Sequence, residues 1–80
     1  MLADWLASAS RGDVCEYARG DLAHARYWRV RRRMMDEATP DLDGICDAGE
    51  DAWRLYLAGR VTLTQRRLGK QNFAYLAVRL

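Results

Sequence analysis

Residues that carry chemistry are scarce in this chain, which holds one histidine (His24), one proline (Pro40), one phenylalanine (Phe73) and two cysteines (Cys15 and Cys46). His24 has no cysteine or serine at the spacing of a nucleophile pair. Neither cysteine lies in a CxxC or Cys/His pattern, so both thiols are expected to be reduced and buried rather than bridged or metal-bound. Glycine-rich phosphate loops of the GxxxxGK[ST] or GxGxxG kind are absent. Asp43, Asp47 and Glu50 recur at short intervals, but without the loop carbonyls and glycine of an EF-hand they are not expected to hold a cation. These absences lead to the expectation of a non-enzyme without cofactor. No run of eighteen apolar residues appears, and Met1-Leu2-Ala3-Asp4-Trp5 turns acidic at once. We therefore expect no membrane segment and a soluble cytoplasmic protein.

What is present is enough for one small domain spanning residues 1–80, half of them apolar and eight aromatic. Its organising element is residues 60–80. Val61 to Leu68 alternates with period two, Gly69-Lys70-Gln71-Asn72 has turn chemistry, and Phe73 to Leu80 resumes the alternation. A hairpin with a four-residue loop sets Leu68 opposite Phe73. That register puts Val61, Leu63, Leu76, Val78 and Leu80 on the buried face, and Thr62, Thr64, Arg66, Phe73, Tyr75 and Arg79 on the open one.

Upstream, Leu2, Trp5, Leu6 and Ala9 predict a short helix, and Asp13 to Ala18 a strand with Cys15 and Tyr17 pointing one way. Asp21 caps a helix over Leu22–Ala38, with Ala23, Tyr27, Val30 and Met34 within about 60° of one another as its core face. Arg26, Arg29, Arg32 and Arg33 form an arginine stripe elsewhere on that helix, suited to phosphate or carboxylate. Trp28, off the core direction, is either covered by the first helix or exposed at an interface. Thr39-Pro40-Asp41 starts a third helix to Ala58, with Leu42, Ile45, Gly49, Ala52, Trp53 and Tyr56 inward and Asp43, Asp47, Glu50, Asp51 and Arg54 outward. Gly44 and Gly49 allow a break near Gly44 to Asp47. Gly59 follows its C-terminus.

Charge is segregated, although the net is only +2: residues 36–51 hold seven acids and no base, while the flanking segments are basic. Such segregation points to electrostatic steering toward a partner. Helix, strand, helix, helix, strand, strand resembles the organisation of a winged helix, an α+β fold of three helices on a three-stranded antiparallel sheet with residues 60–80 as the wing. The resemblance implies that the third helix would enter a major groove. Here that helix presents four carboxylates to a duplex bearing one charge per roughly 1.7 Å, which disfavours the docking. Gly12 to Tyr17, Gly20 to Ala23, Val61 to Arg67 and Phe73 to Arg79 also resemble short phage- and prophage-encoded proteins, among which anti-CRISPR inhibitors are the best known.

That resemblance implies a stoichiometric inhibitor of a host protein of nucleic-acid machinery, a CRISPR effector complex among the candidates, acting in the host cytoplasm. The contact residues would be Arg26, Arg29, Arg32, Arg33, Arg66, Tyr75, Arg79, Asp43, Asp47, Glu50 and Asp51, through the acidic helix as a phosphate mimic or through the arginine stripe and hairpin. The alternative is a winged-helix regulator that binds DNA through the basic hairpin. A monomer or weak dimer is compatible with both.

Overall fold

Three strands and three helices follow one another in the order α1 (Leu2–Ser8), β1 (Val14–Gly20), α2 (Leu22–Met34), α3 (Pro40–Leu57), β2 (Val61–Gly69) and β3 (Asn72–Arg79) in the computed structural model, which describes residues 1–80. The sheet is antiparallel throughout, with β3 between β1 and β2. Element order, class and pairing are those expected. The core joins Leu2 and Leu6 of α1, Leu22 of α2 and Ala52 of α3 to Tyr17, Val61, Tyr75 and Ala77 of the sheet.

The hairpin register differs from the expected one by a single residue. Gly69 pairs with Asn72 around a two-residue turn at Lys70-Gln71, and Leu68 is an extra residue between the Arg67–Phe73 and Gly69–Asn72 pairs. This bulge rotates β3 relative to β2. Val61 and Leu63 keep their inward direction, but their partners are Arg79 and Ala77. Tyr75 and Ala77 are consequently buried, while Leu76 and Val78 pair with Thr64 and Thr62.

Helix ends follow local chemistry. At the end of α3, Gly59 takes φ 72°, the Arg60 N–H donates to Leu55 O (3.0 Å) and the Gly59 N–H to Tyr56 O (3.0 Å), a closing motif that satisfies the last carbonyls. The same pair of bonds ends α2 four residues early: Glu37 N–H reaches Arg32 O and Asp36 N–H reaches Arg33 O, with Asp36 at φ 57° in the place glycine normally fills. Helix α3 runs unbroken through Gly44 and Gly49. Gly49 has a packing role, because a Cβ there would come within 2.8 Å of Leu22 Cδ2. Its absence lets α2 approach α3 closely.

Candidate functional site

Helix α2 is turned about its axis relative to the expected orientation. Leu22 and Ala25 are buried and Arg29 and Arg32 half-buried, all on the side that meets α3. The four residues expected in the core face water instead: Tyr27 is 54% exposed, Val30 58% and Met34 78%, with Ala23 beside them.

Ion pairs between the two helices accompany this orientation, alongside the packing of Leu22 against Gly49. The Arg29 guanidinium donates to Glu50 Oε1 (2.7 Å) and Asp47 Oδ1 (3.1 Å), and lies 3.8 Å from Asp43. Arg32 donates to Asp41 (2.9 Å) and Arg33 to Asp43 (3.0 Å), so partners descend α3 as residue numbers climb α2 and the helices run antiparallel. Arg29 is held charged chiefly by its bond to Glu50, against desolvation. Facing Ala23, Tyr27, Val30 and Met34 toward α3 would have parted these charges and pushed bulky rings against Gly49.

Several expected contact residues are thereby reassigned. Arg29, Arg32 and Arg33 and the carboxylates Asp43, Asp47 and Glu50 serve each other, so the two charged stripes form one largely compensated seam instead of two separate surfaces. Asp41, read from sequence only as a first-turn acid, belongs to it. Asp51 pairs along its own helix with Arg54 (3.2 Å). Arg26 makes no ion pair and lies over Gly49. Tyr75 is no open-face residue: it is 8% exposed and its hydroxyl accepts the buried Leu22 N–H at 2.9 Å, capping α2 from the sheet. Arg79 folds onto its own chain end, donating to Leu80 O (2.7 Å), with its Nε buried and unpartnered. Arg66 remains exposed as expected, near Glu16, whose carboxyl is held below its ordinary 4.5 chiefly by the hydrogen bond from Arg19 with Arg66 adding to it.

The surface that sequence reasoning missed is therefore the outward face of α2. Its stripe Ala23, Tyr27, Val30 and Met34 is extended at the side by Trp28 and Met35, and α1 packs on α3 and β1, leaving Trp28 uncovered. Trp28 stands edge-on to Tyr27 with ring centroids 5.4 Å apart, and Arg31 lies 5.8 Å over the Tyr27 ring. Beside this face runs a groove of about 340 Å³ between α2 and the start of α3, walled by Trp28, Met35 and Leu42 with polar groups from His24, Arg31, Arg32 and Glu37. A smaller apolar patch is formed by Trp53 stacked on Tyr56 (5.1 Å), both expected inside, together with Leu57.

The signal that could have located the α2 face was present in the sequence. Arginines spaced along α2 and acids spaced along α3 are complementary if the helices are neighbours, and pairing them leaves the apolar stripe outside.

Both cysteines are free, and burial raises the Cys46 thiol above its ordinary 9.0. No helix is long and apolar enough to cross a membrane. No protein-family model matches the chain, and comparison with curated proteins and with solved structures gave no match.

Proposed function

We propose that this chain is a small non-enzymatic binder of the phage inhibitor type, which occupies a surface of a host protein of nucleic-acid metabolism, such as a CRISPR effector complex, and blocks it. The observation that carries the reading is the outward apolar face of α2. Burying one large apolar side chain is worth about 1.5–3 kcal/mol, so a stripe of Tyr27, Val30 and Met34 left in water is a contribution that folding alone does not collect. A partner surface collects it.

The overall dimensions support this reading. The accessible surface is 5513 Å² for 9.2 kDa, against roughly 4,900 Å² for a monomer of that mass. The radius of gyration is 13.6 Å, against roughly 11.6 Å for a compact domain of this length. Only 13 of 80 residues are buried, so much of the apolar surface remains to be covered. Because Asp47 and Glu50 are already bound to Arg29, imitation of a phosphate row by α3 is the weaker route to a partner.

The test is capture of the host partner by the chain and by a Val30→Glu/Met34→Glu variant, with inhibition then measured in the partner's own assay. Both positions are exposed, so the variant should melt close to the wild type while losing capture and inhibition. Full retention of both would refute the reading.

A second reading is a winged-helix DNA-binding regulator that uses its hairpin. It is favoured by the strand order and by residues 60–80, which contain Arg60, Arg66, Arg67, Lys70 and Arg79 and no acid. Fluorescence anisotropy with random-sequence duplex decides it: binding that weakens steeply with salt supports the regulator, and no binding at low salt removes it.

A further inference from the structure

We infer that the outward face of α2 is a docking site for an acidic amphipathic helix of the partner protein. This rests on the reading above and names the chemistry of what binds. Ala23, Tyr27, Val30 and Met34 follow one another at intervals of four, three and four, the spacing of a coiled-coil seam, along a helix of 13 residues, about 20 Å. An apolar stripe of that geometry is matched by the stripe of another helix laid along it.

The borders of the seam decide the sign of the occupant. Arg33 flanks it on one side and Arg31 with His24 on the other, Arg26 on the Arg33 side having its guanidinium laid over Gly49 of α3, and no carboxylate of the chain lies between them on α2. Arg26 and Arg31 form no ion pair within the molecule, and Arg33 has Asp43 alone. A second copy of this chain is thereby disfavoured, because antiparallel pairing of two α2 helices would bring the Arg26 and Arg33 border of one against that of the other, with no carboxylate on either α2 to meet it. A helix with glutamate or aspartate beside its apolar stripe meets Arg31 and Arg33 with opposite charge. Nucleic acid fits less well: the centre of the face is apolar, and in the adjoining groove Arg32 is matched by Asp41 and Glu37 adds an acid. That groove, with Trp28, Met35 and Leu42 as its apolar walls, offers room for one bulky side chain from the docked helix.

The experiment uses the full chain, isotope-labelled for NMR, and two synthetic helices with leucine at the a and d positions, one with glutamate at e and g and one with lysine. The acidic helix should move the amide signals of Tyr27, Val30 and Met34 and the Trp28 indole signal. Its affinity should fall severalfold in an Arg31→Glu variant, and fall with added salt in the wild type. The salt titration needs no variant, so the inference stays open to refutation if the reversed chain does not fold. Equal binding of the lysine helix, or salt-independent binding, overturns the acidic partner but leaves the α2 face as a contact surface. If neither helix disturbs α2, the inference fails, and capture by Val30→Glu/Met34→Glu then decides separately whether the functional reading survives. Oligothymidine moving the same signals, or concentration-dependent shifts of α2 in the chain alone, would assign the face to nucleic acid or to self-association and overturn the inference.

Discussion

Replacing Tyr75 by phenylalanine removes one oxygen and almost no volume, so its effect isolates a single hydrogen bond. The Tyr75 hydroxyl accepts the Leu22 N–H at 2.9 Å in the buried interior, across 53 residues of sequence. Leu22 opens α2, where backbone donors have no partner within the helix. Asp21 serves the His24 N–H (3.0 Å) and leaves the Leu22 donor to Tyr75. In Tyr75→Phe that donor stays buried and unpaired, which costs about 1–3 kcal/mol. For a domain of this length each kcal/mol lowers the melting temperature by roughly 4–8 °C, so the variant should melt about 5–20 °C below the wild type. Thermal unfolding followed by circular dichroism, with urea titration alongside, measures it. Tyr17→Phe is the control: it removes a neighbouring buried phenol, whose ring centre is 6.3 Å from that of Tyr75, without removing a cap. If Tyr75→Phe melted within about 2 °C of the wild type, the cap would be refuted, and with it the bulged register that turns Tyr75 inward.

Further outcomes follow from the same geometry. Arg29→Met should destabilise the chain by about 1–2 kcal/mol in urea, less than the loss of a fully buried pair, because the acceptors on Asp43, Asp47 and Glu50 remain partly open to solvent. Burial, with Tyr75 close by, pushes the Tyr17 phenol above its ordinary 10.0, and burial likewise raises the Cys46 thiol above 9.0. The folded state therefore holds these protons more tightly, so their stabilisation is complete below pH 9 and is lost as pH climbs through 9 to 10 and beyond. Urea midpoints measured up that range should fall, and fall less in Tyr17→Phe. Gln71→Gly should stabilise the hairpin by up to about 1 kcal/mol, since Gln71 holds φ 53° at the turn; an unchanged or lower midpoint would contradict this.

Element order, sheet content and most boundaries were legible because period-two and helical periodicities are local signals. Pro40 at the start of α3 and Gly59 after it also marked their positions correctly. The faces of β3 were not legible, because one bulged residue, Leu68, reverses every side chain beyond it while leaving the alternation intact. The orientation of α2 misled for a different reason. Hydrophobic periodicity identifies which side chains share a face, not whether that face meets the core or a partner. Tyr27, Val30 and Met34 do share a face, but α2 meets α3 through Leu22, Ala25 and the ion pairs of Arg29, Arg32 and Arg33, which leaves that face outside. Of the candidate contact residues, Tyr75 proved to be a helix cap and Arg29 a bridge between helices, roles set by long-range neighbours that spacing cannot reveal.

The proposed function requires α2 to be the side that a partner covers, and hydroxyl-radical footprinting of side chains reads that surface directly. Met34, Met35 and Trp28 are oxidisable and exposed in the free chain, with Met1 and Trp53 exposed on other elements as internal references. In complex with the captured host protein, oxidation of Met34, Met35 and Trp28 should drop severalfold while Met1 and Trp53 are unchanged. Undiminished oxidation at Met34 and Met35, with protection confined to Phe73, Leu68 and the rest of the hairpin, would show that α2 is not the covered side.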